Sequence, residues 1–137
     1  MQLGPEQRLR VETAIDIQRA RRLVSTFASR SGLHRPQIDE IVLATSELAD
    51  NLVKHTLFGG WLSCRIRESP EGDILEVEVA DTGPGITDLA RALEDGFSTA
   101  DSIGSGLAVA RRQVDFFEMD SSPEGTKVRI GKLVPRQ

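Results

Sequence analysis

Apolar residues recur along the chain with two different periods, and the change between them divides it into elements. Ile17, Ala20, Leu23, Val24 and Phe27 recur at helical spacing behind Thr13 and Asp16, a pair that resembles a helix start. Gly32 ends this predicted helix. Pro36 suits the first turn of a second one, in which Ile38, Ile41, Val42, Thr45, Leu48, Ala49 and Leu52 mark a buried face to about Thr56. The period then drops to two. Leu62, Cys64 and Ile66 alternate with Ser63, Arg65 and Arg67, and Leu75, Val77 and Val79 alternate with Glu76 and Glu78. With Pro70-Glu71-Gly72-Asp73 between them, these runs predict a hairpin with one covered face. Arg8 to Glu12 alternates weakly and predicts a short first strand. Thr87 to Leu93 fits a short helix, and Asp95 to Gly104 a polar loop. Gly104 to Phe117 is predicted as a helix burying Leu107, Ala110, Val114 and Phe117, and Lys127 to Leu133 as a last strand after the Glu124-Gly125 turn. These elements form an α+β two-layer sandwich: a mixed, mainly antiparallel β-sheet covered on one face by helices. No repeat or Pro/Ser-rich linker interrupts them, so residues 1–137 are read as a single domain.

Composition narrows the chemistry. The chain has 137 residues, 39% of them apolar, and a net charge of −4, which argues against nucleic acid as the main partner. It has no apolar run near the ~18 residues needed to span a bilayer and no apolar leader, so no membrane role is expected. One cysteine cannot form an internal disulfide, which fits a cytoplasmic setting. Cys64 with only His34 and His55 leaves no zinc cluster; by its alternation Cys64 is a core thiol, and Trp61 at the start of the same strand is expected to pack in the core. Charge is uneven. Residues 1–68 carry 10 basic and 8 acidic side chains, residues 69–137 carry 7 and 13. The basic excess gathers at Arg19, Arg21, Arg22 and Arg30, which reads first as a solvated helix face and second as a docking surface.

Carboxylates, amides and glycines are left to supply the chemistry, and three features gather them. On the second helix, Glu40, Ala44, Glu47, Asn51 and Lys54 or His55 share a stripe beside the apolar one. On its own such a stripe reads first as a solvated polar face. Asp81-Thr82-Gly83-Pro84-Gly85 places a carboxylate at a strand end, followed by glycines that let backbone approach a ligand. A carboxylate there accepts a hydrogen bond from the exocyclic amine of adenine and opposes the carbonyl oxygen of guanine. A plain strand-to-helix turn explains the same residues equally well. Gly104-Ser105-Gly106-Leu107 opens a helix, where free N–H groups suit a phosphate chain. There is no Walker-type loop and no His-Arg-Asp or Asp-Phe-Gly signature, so neither a P-loop enzyme nor a eukaryotic-type kinase is indicated.

Taken in order, Glu-x-x-x-Asn-x-x-Lys, Asp-x-Gly-x-Gly and Gly-x-Gly-Leu resemble the boxes of the GHKL superfamily, which has the Bergerat ATP-binding fold. Here they stand as Glu47 to His55, Asp81 to Gly85, Gly104 to Leu107, and Gly125-Thr126. The stretch Glu94-Asp95-Gly96-Phe97-Ser98-Thr99, with Arg111-Arg112 and Asp115-Phe116-Phe117, is similar to the RsbT-type switch serine/threonine kinases of the stressosome, related to the RsbW-type anti-sigma factor kinases. The resemblance implies ATP and Mg²⁺ as cofactors. It implies that Asp81 binds the adenine amine, that Thr126 reaches the base, and that Gly83, Gly85 and Ile86 line it. It further implies that Asn51 holds Mg²⁺, that Gly104, Ser105, Gly106 and Leu107 hold the phosphates, and that Lys54 and His55 lie near the terminal phosphate. Glu47 is then the catalytic base, and residues from about Asp95 to Gly104 form a lid. A serine or threonine of a STAS-domain scaffold or antagonist protein is the implied acceptor, with a PP2C-type phosphatase activated by contact. The alternative is an RsbW-type anti-sigma factor that sequesters a sigma factor and phosphorylates its antagonist. A histidine kinase is set aside, because His34 lies just before Pro36 and not on a long helical hairpin. A non-catalytic nucleotide sensor is disfavoured by Glu47.

Overall fold

A computed structural model describes residues 6–56, 58–81, 102–122 and 125–135, with the side chains of residues 55 and 102–105 left aside. Its elements run β1 (Gln7–Val11), α1 (Ala14–Ser31), α2 (Arg35–His55), β2 (Gly60–Ser69), β3 (Gly72–Ala80), α3 (Ser102–Arg112), β4 (Phe116–Ser122) and β5 (Gly125–Leu133). The start of α1 is fixed by Asp16, whose Oδ2 accepts the N–H groups of Glu12 (2.9 Å) and Thr13 (3.0 Å). These bonds and the charge of Arg19 hold the Asp16 carboxyl below its usual range. Gly32 closes the helix with φ of 103°, a left-handed conformation that costs glycine little. Pro36 lies in the first turn of α2, where its missing N–H has no intrahelical partner to lose.

The strands form one sheet in the order β1-β2-β3-β5-β4, with every pairing antiparallel among the described residues. The expected parallel component is therefore absent there. Alternation decides the faces. Leu62, Cys64, Leu75, Val77, Val79, Val128 and Ile130 turn inward and join Ala20, Val24, Phe27 and Ala28 of α1 and Ile41, Ala44, Leu48 and Leu52 of α2 in one core. The helices thus cover one face, an α+β sandwich as the sequence pattern predicts. Thr45, fully buried in the same layer, donates its hydroxyl to the Ile41 carbonyl at 2.8 Å, which satisfies it without a partner outside the helix.

Two expectations are corrected at the C-terminal end. The helix predicted from Gly104 to Phe117 runs from Ser102 to Arg112, and Phe116–Ser122 is a strand that the periodicity reading missed. Val114 and Phe117 continue the helical spacing from Leu107, but Phe117 and Met119 also alternate with Glu118 and Asp120. The second pattern prevails because β5 offers a partner edge: Phe117 pairs Ile130 and Met119 pairs Val128. Asp115 fastens the turn, its N–H donating to the Gly131 carbonyl (2.9 Å) and its Oδ2 accepting from the Leu133 N–H (2.8 Å). At the other end the helix opens at Ser102, two residues before Gly104. Trp61 is also misjudged. Its ring stands on the face opposite the helices, and the residue is 37% exposed. The short helix expected over Thr87 to Leu93, and nearly all of the expected lid, lie outside the described residues.

Candidate functional site

The site begins with the stripe on α2. Glu47 and Asn51, one turn apart, both face α3, and Gly106 is what they face. A Cβ built on Gly106 would stand 3.0 Å from Glu47 Oε1 and 3.5 Å from Asn51 Oδ1. Without a side chain at this position the two helices meet closely while the carboxylate and amide keep their places. The Asn51 amide nitrogen is buried and has no hydrogen-bond partner among the described residues, a cost that packing of those residues does not explain.

Electrostatics distinguish Glu47 from a surface carboxylate. Burial pushes its carboxyl above the ordinary range, the neighbouring Asp50 charge pushes it further, and Lys54 opposes both. Lys54 itself reaches Asp50, with Nζ 3.1 Å from Oδ2. Asp50 is a residue that sequence reasoning passed over. The signal was present: it lies three positions after Glu47 and four before Lys54, on the side of the helix they share.

A cleft continues from Asn51 toward the end of the sheet. Its walls are apolar (Leu48, Leu52, Val79, Leu107 and Val128), and its polar groups are Asn51, Thr56, Asp81 and Thr126. Asp81 and Thr126, far apart in sequence, meet because β3 and β5 are neighbours. The Asp81 N–H donates to the Thr126 carbonyl at 3.0 Å, and the Thr126 hydroxyl lies 2.8 Å from Ser121 Oγ of β4. Both residues are more than nine-tenths buried. An apolar slot with a carboxylate and a hydroxyl at one end and an amide at the other has the form of a small-molecule site.

Such a frame matches a known family. The family described as "Histidine kinase-like ATPase domain" matches residues 10–132. The chain belongs to it. Among curated relatives, it is 34% identical over 127 residues to the serine/threonine-protein kinase RsbT of Bacillus subtilis, covering 90% of this chain and 93% of that protein. It is 30% identical over 119 residues to an anti-sigma F factor of Thermoanaerobacter sp., covering 84% and 83%. The fold is shared with a crystal structure of the RsbU and RsbW domains of Rv1364c from Mycobacterium tuberculosis, at a TM-score of 0.68 and 18% identity. That match covers 98% of this chain and 34% of that one, so the chain spans about a third of its length. It is also shared with the histidine kinase domain of a blue-light activated histidine kinase from Erythrobacter litoralis, at a TM-score of 0.58 and 19% identity, covering 88% and 64%. Membership of an ATPase family makes ATP the nucleotide for which the slot is read.

Of the residues expected at the site, Glu47, Asn51 and Gly106 come together, and Asn51, Asp81, Leu107 and Thr126 share the cleft. Lys54 is exposed and held by Asp50. His55 ends α2, but its side chain lies outside the described residues, as do Gly83, Gly85 and Ile86 entirely. Gly104 and Ser105 fall in the first turn of α3, where N–H groups lack intrahelical partners. Gly106 comes next, a full turn after Ser102, so its amide belongs to the helix ladder and its contribution is the missing side chain. The described helices include none long and apolar enough to cross a membrane.

Proposed function

We propose that this chain is an ATP- and Mg²⁺-dependent protein serine/threonine kinase that phosphorylates STAS-domain partner proteins in a stressosome-type partner switch and activates a PP2C-type phosphatase by contact. The observation that carries the reading is the convergence of Glu47, Asn51 and Gly106. A site that only bound nucleotide would need no carboxylate beside the amide, with its pKa raised by burial. The residues also suit the metal and its phosphates: the Asn51 oxygen, a hard neutral donor, lies on the Gly106 side, and its buried nitrogen, unpaired among the described residues, can donate to a phosphate oxygen. Asn51 would hold Mg²⁺ through that oxygen, and the ion would offset phosphate charge.

The chain's own residues do the remaining work. Asp81, buried at the sheet end, accepts the adenine amine and sets the base; Thr126 adds a hydroxyl beside it. Leu48, Leu52, Val79 and Val128 exclude water from the ring. Glu47 accepts the proton of the incoming serine or threonine hydroxyl and orients it toward the terminal phosphate. Its raised pKa makes it a stronger base than an exposed glutamate.

The test is incubation with radiolabelled ATP, Mg²⁺ and candidate STAS-domain proteins. Label on a STAS serine or threonine, lost in Glu47→Ala with ATP binding retained, is the expected result. Unchanged turnover in Glu47→Ala overturns the assigned role, and Asp81→Asn should weaken ATP binding in calorimetry at equal folded fraction. The likeness to anti-sigma F factors favours one second reading, an RsbW-type anti-sigma factor. Capture of a sigma factor rather than a STAS-domain scaffold in a pull-down would select it.

A further inference from the structure

The sheet face turned away from the helices takes no part in the nucleotide cleft, yet its side chains are far from ordinary solvent-facing ones. Register puts Arg8 and Arg10 of β1 opposite Ser63 and Trp61 of β2, and Arg65 of β2 opposite Glu76 of β3. The guanidinium of Arg8 lies 4.5 Å from the Trp61 ring centroid and that of Arg10 lies 5.4 Å from it. Two cations thus hold a half-exposed indole at the surface.

Charge here is layered. Glu76 accepts from Arg65 Nε at 2.8 Å and from Arg67 Nε at 3.0 Å, and its side chain is only 5% exposed against 45% and 41% for the two arginines. The carboxylate is sunk beneath the guanidiniums, so solvent meets the cationic forks. Arg10 pairs with Glu12 at 2.9 Å, and Arg8 has no carboxylate partner among the described residues. Toward β4 the cationic excess ends: Glu78, Glu118 and Asp120 share the face with Lys127 and Arg129, and Arg129 pairs with Glu78 at 3.4 Å and Glu118 at 3.2 Å.

We infer that the outer face of β1 and β2 is a docking surface for an acidic polypeptide segment, its carboxylates meeting Arg8, Arg65 and Arg67 and an apolar side chain lying on Trp61. Charge complementarity selects this occupant. Arginine presents paired N–H groups at the spacing of a carboxylate, and four arginines with no lysine make this patch. A nucleic acid backbone would run past the patch onto the mixed charges of β3, β5 and β4 and meet a chain of net charge −4, so a short acidic segment fits better than a long polyanion.

Trp61 is the chain's only tryptophan, so its emission in the full chain reports this face directly. The probe is a synthetic peptide alternating glutamate and leucine, compared with its lysine counterpart and with single-stranded oligodeoxythymidine. Saturable change with the glutamate peptide alone, weakened at higher salt and at least tenfold weaker in Arg65→Gln/Arg67→Gln, is the expected result. Arg8→Gln, which strands no buried charge, should also weaken binding severalfold, read by anisotropy of labelled peptide with the circular dichroism spectrum unchanged. Equal response to the lysine peptide, or unaltered affinity in a folded Arg8→Gln variant, overturns the inference. Tighter binding of the oligonucleotide overturns it in favour of nucleic acid. A concentration-dependent dimer in sedimentation that Arg8→Gln abolishes overturns it in favour of a second copy.

Discussion

Replacing Gly106 with alanine separates the fold of this protein from its site. In an ordinary helix interior the change stabilises by about 1 kcal/mol, because alanine loses less backbone entropy than glycine. Here the new Cβ would meet Glu47 Oε1 at 3.0 Å and Asn51 Oδ1 at 3.5 Å. The first contact requires a displacement of a few tenths of an ångström. Glu47 Oε1 is the end of a flexible side chain, so the displacement costs roughly 0.5–1.5 kcal/mol, the price of an off-rotamer torsion. The two effects nearly cancel, and thermal denaturation should show a melting shift within about 4 °C of the parent in either direction. Nucleotide should respond differently. The methyl group stands between α3 and the paired carboxylate and amide, where the proposed reading puts the phosphates, so affinity for ATP by titration calorimetry should fall at least about tenfold, or about 1.4 kcal/mol. Parental affinity in the folded variant would refute the placement of phosphate beside Gly106. Loss of the folded state would refute the packing estimate.

Three further outcomes follow from the same geometry. Asp50→Asn removes a negative charge that raises the Glu47 carboxyl, so the acidic limb of the pH–rate profile should move to lower pH; an unmoved limb argues that Glu47 is not the base it reports. Because the folded Glu47 pKa lies above its unfolded value, its protonated form favours the native state. That stabilisation is fully present below the usual glutamate range and is lost as pH rises through the folded value. Asp16→Ala should cost about 1 kcal/mol in denaturant titration through loss of the α1 cap. The parent's advantage should vanish as pH falls below the ordinary aspartate value of 3.8, since the folded pKa is depressed and the contribution is present only above it. Glu76→Gln leaves Arg65 and Arg67 facing a neutral group. It should lower stability by about 1–3 kcal/mol, less than for a fully enclosed pair because both guanidiniums reach water; an unchanged denaturation midpoint would contradict the layered arrangement.

Much of this architecture is carried by local pattern. The buried stripe of α2, the alternation of β2 and β3 and the glycine that stops α1 each rest on residues a few positions apart, where 3.6- and 2-residue periods leave an unmistakable trace. The fatty core positions Leu48, Leu62, Val77 and Ile130 are legible for that reason, and so is Cys64, whose burial pushes its thiol up to about 12. Where two periods overlap, sequence is silent. Phe117 suits a helix and a strand alike, and only the free edge of β5 makes the choice. Trp61 shows the same limit: alternation puts it on the face opposite Leu62, but its apolar character argued for the core until Arg8 and Arg10 were seen to cover it.

What the sequence alone determined is the inventory and its order: the carboxylate, amide and glycine boxes, and elements that must bury one face. Which of these meet was settled by the tertiary structure. Glu47 and Gly106 belong to helices separated by a hairpin, and Asp81 and Thr126 to strands whose adjacency depends on the β3–β5 pairing. Periodicity is a property of neighbours in the chain, whereas a site is made by distant residues whose approach is decided by packing. For the same reason the arginine layer over Glu76 could not be read from composition, since charges on three strands become one surface only when the sheet is assembled.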